Sequence, residues 1–157
     1  MQKDVNLYKI IIGAYLHDIG KIGISDKILH KRDKLDNDEW IMMQDHPRLG
    51  ASILEKHDDF KKVSNIILHH HENYDGTGYP SRLIAEEIPI SSRIIAVVDS
   101  FHAMVSDRPY RKGLPWKIAI SEIKKCSGRQ FDPIVVEAFL KVAAKEEKIS
   151  ELEQIKQ

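Results

Sequence analysis

The chain has almost no cysteine, no net charge and no long apolar run, and each absence closes off a class of protein. A single cysteine, Cys126, cannot form an internal disulfide and suits a reducing compartment, with the cytoplasm as the default expectation. Lys and Arg number 24 and Asp and Glu also 24, so no global field draws the protein to DNA or to an anionic membrane. Any anion has to be recognised locally. No stretch approaches the roughly 20 apolar residues that span a bilayer. The opening "MQKDVNLYK" lacks the basic-then-apolar order of a secretory signal. A soluble protein without membrane insertion is therefore expected. Alternating, strand-like stretches are scarce, and there is no internal repeat and no low-complexity linker. At 157 residues the chain suffices for one compact domain with a core and not for two.

What is present is apolar spacing at three and four residues, which predicts an all-α domain of about six or seven helices. The first spans about Asp4 to Ile19 with Leu7, Ile10, Ile11 and Ala14 on one face, and "GKIG" breaks it. Asp36 caps a second, with Glu39 three residues on and Trp40 and Met43 facing inward. Pro47 disfavours helical geometry at His46 and places that histidine at a corner. A further helix carries Phe60, Val63, Ile66 and Ile67 into the run "HHHENYDGTGYP", whose glycines and proline end it. Residues 91–106 hold the clearest stripe, Ile94, Val98, Phe101 and Val105, and Pro115 and Asp132-Pro133 begin two more helices. The domain is expected over residues 1–145, with 146–157 as a solvated helical tail.

Several stripes end in polar groups. The first leads to Asp18 with His17 beside it; Phe60, Val63 and Ile67 lead to His70 and His71; Asp99 interrupts the apolar "RIIAVVDSF". An ionised carboxylate on an apolar face needs a cationic partner or takes up a proton. Singly, each such residue is more often a hydrogen-bonded core group than a ligand. Six nitrogen and oxygen donors (His17, Asp18, His46, His70, His71, Asp99) from four packed segments are hard to satisfy by hydrogen bonds alone. Divalent metal satisfies them. Imidazoles and carboxylates without thiolates suit iron, manganese, nickel or zinc rather than a structural zinc knot. They are too many for one tetrahedral ion with an open position, so two or more ions are implied. His30, His57 and His69 are assigned to the surface.

"HDIGKIGISDKIL", His46, "HHENYDGTGYP", "RIIAVVDSF" and "RPYR" occur in an order and spacing that resemble the HD-GYP domain, a branch of the HD phosphohydrolases. The likeness covers residues 13 to about 140. It implies a helical, metal-dependent phosphodiesterase that opens the bacterial second messenger cyclic di-GMP to pGpG and in some members on to GMP, with iron or manganese as the favoured ions, two or three in number. By position, His17 and Asp18 resemble the name-giving pair, the Asp18 carboxylate bridging two ions. His46, His70 and His71 complete one shell and Asp99 binds the other ion. Lys21 resembles the family lysine that faces the scissile phosphate, and Arg108 and Arg111 the basic contacts to substrate, where a guanidinium fork matches phosphate oxygens. Gly78, Tyr79 and Pro80 are expected at the cleft rim, Tyr79 against substrate, or docking a protein partner. Regulation by a sensory or receiver domain is the family's habit.

Two departures qualify the likeness. Only 16 residues, none a histidine, precede His17, whereas family members usually carry another helix with an upstream ligand. The Asp99 ion is then expected to lack one protein ligand, and the chain reads as a fragment or as a degenerate site. His102 stands where the family commonly has aspartate; it orients Asp99, reaches a metal, or is inert. The alternatives to a cyclic di-GMP phosphodiesterase are a silent module that binds nucleotide or a protein partner, and a hydrolase of another phosphoester.

Overall fold

A computed structural model describes residues 6–107 and 111–155, with side chains through Lys145. Among the described residues there are eight α-helices and three short 3-10 helices; the α-helices are α1 (Leu7–Leu16), α2 (Asp26–Leu29), α3 (Asn37–Met43), α4 (His46–Leu54), α5 (Lys61–Leu68), α6 (Ile90–Val105), α7 (Trp116–Lys125) and α8 (Pro133–Ile155). The second is a single turn. Among the described residues there is no β-strand, only an isolated bridge between Ser127 and Phe131. The all-α expectation holds. The boundary read at 145 falls inside α8, which is continuous to Ile155.

Local chemistry sets the helix starts. Asp36 accepts from the Glu39 amide and Glu39 returns a bond to the Asp36 amide, both at 2.9 Å, a full capping box for α3. Pro47 sits in the first turn of α4, where its missing N–H costs nothing, and His46 opens that helix. Asp132 accepts from the Ile134 amide at 2.8 Å and starts α8.

The core has two parts. Leu54, Val63 and Ile67, with Ile12 and Leu16 against them, join α4, α5 and α1. Val97, Phe101, Ala119, Ile123, Phe131, Val135 and Val136 join α6, α7 and α8. Hydroxyls stitch the layers: Ser64 donates to the Ala51 carbonyl (3.0 Å) and Ser92 to the Ile66 carbonyl (2.8 Å). Helix α6 belongs to both halves. Its buried Arg93 pairs with Asp132, which is 1% exposed, through an Nη1–Oδ2 contact of 2.5 Å.

Three registers differ from expectation. In α1, Leu7 and Ile11 are exposed (68% and 45%), as is Ala14, and the buried position is Gly13, packed towards Ile66 and Ile95. The helix is apolar on every side, so spacing could not select its inner face; the close approach at Gly13 does. In α6 the buried line runs through Ile95, Val97 and Phe101, leaving Val98 exposed. Trp40, expected inside, is 49% exposed.

Candidate metal centre

The donors lie where the two halves of the core meet. His17 and Asp18 follow the last turn of α1, His46 starts α4, His70 and His71 follow α5, and Asp99 sits in the middle of α6. The break after Asp18 is a 3-10 turn, Ile19–Gly23. Gly20 makes it fit: a Cβ there would lie 1.9 Å from the His46 carbonyl oxygen and 2.4 Å from the Gly50 nitrogen. The turn can thus lie on the start of α4 and bring Asp18 beside His46.

Their side chains converge. His46 Nε2 is 3.4 Å from Asp18 Oδ1 and 3.4 Å from His70 Nε2. His17 Nε2 is 3.6 Å from Asp18 Oδ2 and 3.5 Å from Asp99 Oδ1. Ligand atoms of His46, His70 and His71 all lie within 4.8 Å of one another. All six residues predicted from the sequence are therefore brought together, Asp18 standing between His46 and His17.

The second ring nitrogens show what the site fits. His17, His46 and His70 place Nδ1 at 2.7, 2.8 and 2.6 Å from the carbonyls of Ala14, Met43 and Ile67. A carbonyl only accepts, so in each ring Nδ1 carries the hydrogen, and in the buried His46 and His70 rings, held neutral, Nε2 presents a lone pair. Between His46 and His70 two lone pairs then face each other at hydrogen-bond distance, an arrangement that repels unless a cation lies between them. Protonation is opposed: burial pushes His46 down, His70 down to about 4 and His71 down to about 2. Neutral imidazoles with carboxylates alongside are the donor set of a divalent cation, and carbonyl-anchored rings are the supported geometry of metal histidines. His17 behaves differently. The contact with Asp99 raises its affinity for a proton against the opposing effect of burial, and the same contact lowers Asp99.

Tyr79 stacks on His71 with ring centroids 4.9 Å apart, and burial, then the Asp18 and Asp99 charges, raise its phenol, which stays protonated. The turn that carries it folds back on the histidine run: the Tyr79 amide donates to the His71 carbonyl (3.2 Å) and the Ser81 amide to Glu72 Oε1 (2.6 Å). Gly78 permits this, since a Cβ there would lie 2.1 Å from the Asn73 nitrogen. Sequence reasoning passed over Glu72, which is 3% exposed and whose Oε2 is buried without a partner among the described residues. It also assigned His69 to the surface. His69 is buried, Nδ1 on the Asn65 carbonyl at 2.9 Å, because the chain turns inward immediately after α5. His30 and His57 are exposed as expected.

Lys21 Nζ lies 2.6 Å from Asp18 Oδ2 at the edge of the cluster. Arg111 donates to the Ala103 carbonyl at 2.9 Å and is exposed. Arg108 lies outside the described residues. His102 is exposed one turn after Asp99 and, among the described residues, makes no side-chain hydrogen bond.

Fold and site together define a helical domain built round a histidine–aspartate centre suited to divalent metal. The HD domain family profile matches residues 2–135, and the chain belongs to that family. Its relatives include a cyclic di-GMP phosphodiesterase of Thermotoga maritima, 47% identical over 141 residues, 88% of this chain and 38% of that protein. A 3'3'-cGAMP-specific phosphodiesterase 2 of Vibrio cholerae is 43% identical over 129 residues, 80% of this chain and 24% of that protein. Both are consistent with the HD-GYP branch, and the chain spans well under half the length of either. The crystal structure of a cyclic GMP-AMP specific phosphodiesterase of V. cholerae superposes with a TM-score of 0.68 at 20% identity, over 92% of this chain and 40% of that one, a likeness of fold.

Proposed function

We propose that this domain is a metal-dependent phosphodiesterase that hydrolyses cyclic di-GMP to pGpG, with GMP as a further product. The observation that carries the reading is the set of Nε2 atoms and carboxylate oxygens converging on one another, with the His46 and His70 Nε2 atoms 3.4 Å apart and Lys21 meeting only Oδ2 of Asp18. His46, His70, His71 and Asp18 would hold one divalent ion, and Asp18, His17 and Asp99 a second; iron or manganese suits the set best, with nickel or zinc as the alternatives. Ions held there supply an activated water near neutral pH and offset charge at the attacked phosphorus. The names of relatives at 44–47% identity, cyclic di-GMP phosphodiesterases, support the substrate.

The chain's own residues do the rest. Carbonyl bonds at Nδ1 fix the rings so that Nε2 points inward. Tyr79 covers His71 and keeps bulk water from that side. Lys21 is the group for the leaving ribose 3′ oxygen. Its pairing with Asp18 is a part-exposed contact, worth up to about 1 kcal/mol, so turning the ammonium towards a phosphate costs little. Arg108 and Arg111 are the proposed phosphate or guanine contacts, Arg111 leaving the Ala103 carbonyl to serve. Whole-protein regulation by a sensory or receiver domain, or by a partner docked on the 75–80 loop, belongs to the same proposal.

The test is anaerobic loading with Mn²⁺ or Fe²⁺ and chromatographic analysis of cyclic di-GMP turnover. Metal-dependent appearance of pGpG is expected, and Lys21→Ala is expected to keep the metal while losing about 10²-fold or more in kcat. Metal-replete protein that neither binds nor cleaves this nucleotide would refute the reading.

A further inference from the structure

A cleft of about 330 Å³ is lined by His70, His71 and Asp99 together with Trp40 of α3 and Gln44, which caps the end of that helix. We infer that Trp40 and Gln44 form the subsite for one purine base of the dinucleotide, an inference that rests on the cyclic dinucleotide reading above.

The argument starts from what Trp40 is not doing. Helix α3 is held at its start by its capping box and by the ion pair of Lys31 with Glu39, neither of which uses the indole. The other tryptophan, Trp116, is engaged edge-on with Phe101, ring centroids 4.7 Å apart. Trp40 makes no such ring contact among the described residues and remains 49% exposed, at the rim of the donor cluster. An aromatic face left open beside a phosphate-sized polar centre is a platform for a base, since every base has a π-face and stacking is insensitive to its identity.

The polar groups nearby complete the case. One turn after Trp40, the Gln44 carboxamide has no hydrogen-bond partner among the described residues, and the same holds for the side chain of Gln130, which also lines the cleft. A carboxamide offers a donor and an acceptor side by side, which is what the edge of a purine requires. With the scissile phosphate at the metal donors, the attached nucleoside has to leave along this cleft. Trp40 supplies affinity; Gln44 supplies discrimination between purines.

The experiment uses the metal-loaded chain with two probes. A phosphorothioate analogue of cyclic di-GMP reports binding by quenching of tryptophan emission. Bis(p-nitrophenyl) phosphate, a diester without bases, reports the reaction centre. Expected results are strong quenching that Trp40→Phe removes and Trp116→Phe retains, and a ratio of kcat/KM for cyclic di-GMP over the base-free diester that Trp40→Ala lowers roughly tenfold or more. Trp40→Phe restores the ratio, and Gln44→Ala narrows the preference between cyclic di-GMP and its adenine-containing counterpart. Quenching that depends on Trp116, or an unchanged ratio in Trp40→Ala, overturns the subsite while leaving the phosphodiesterase reading in place. Cleavage of the base-free diester with no binding or turnover of either dinucleotide overturns both.

Discussion

Gly20→Ala is the sharpest perturbation the structure offers, because the methyl group alters no donor side chain yet strikes the joint that brings two donors together. The new Cβ would lie 1.9 Å from the His46 carbonyl oxygen and 2.4 Å from the Gly50 nitrogen. Both are backbone atoms, so no side chain can swing aside. The 3-10 turn has to lift from α4 by more than about 1 Å to reach ordinary contact. Asp18 and His46, now 3.4 Å apart, are carried on the two sides of that joint. Metal–ligand distances tolerate about 0.2 Å, so a shift of this size separates Asp18 from any ion held by His46. Overpacking of this kind costs about 1–3 kcal/mol in stability, and in a chain of this length each kcal/mol moves Tm by roughly 2–4 °C. The assay is metal content by mass spectrometry after anaerobic loading, beside thermal unfolding with and without chelator. Bound metal is expected to fall at least tenfold, and Tm to fall even with chelator present. Wild-type stoichiometry with Tm unchanged to about 1 °C would refute the argument.

Three further predictions follow from other joints. Asp132→Asn keeps the cap on Ile134 but removes the charge facing buried Arg93; breaking such a pair costs about 3–5 kcal/mol, so Tm should fall by on the order of 10 °C, and a change under about 2 °C in thermal unfolding would contradict it. Gly78→Ala forces the turn off Asn73 and Glu72 and frees Tyr79 from His71; metal affinity measured by competition with a chelator should drop about 10- to 100-fold, and an unaltered affinity would show that the turn does not support the histidine. Metal-stripped protein should lose stability in acid: His70 binds its proton only near pH 4 when folded against 6.5 when free, so the unfolded chain takes up the proton first as pH falls between those values. That difference is about 3 kcal/mol at its full extent, read as a falling urea midpoint from pH 7 to pH 4.5, and a midpoint independent of pH would exclude it.

The candidate site was more legible in the sequence than the packing around it. Asp18, His70, His71 and Asp99 stood out because a polar group on an apolar helix has to be satisfied by something, and hydropathy alone exposes that demand. His46 was marked by the proline after it. The inner faces of α1 and α6 were not readable. Ile10, Ile11 and Ile12 are consecutive, and the choice among them is made by Gly13 approaching Ile66 and Ile95, a close contact that leaves no mark in apolar spacing. Nor does spacing separate His69 from its neighbours: three adjacent histidines at a helix end differ only in how the chain turns. The backbone fold-back that sets Tyr79 on His71 and ties Ser81 to Glu72 shows in the sequence only as a glycine-rich turn. Trp40, expected to face inward with Met43, instead stays 49% exposed and lines the cleft.

The central claim is that scattered imidazoles and carboxylates share divalent cations, and anomalous diffraction from metal-loaded crystals tests it most directly. Data at the absorption edge of the loaded metal should show two peaks about 3.5–4 Å apart, one against His46, His70 and His71 and the other against His17 and Asp99, with Asp18 between them. Peaks elsewhere, or the same side chains clear of any metal in fully loaded protein, would contradict it.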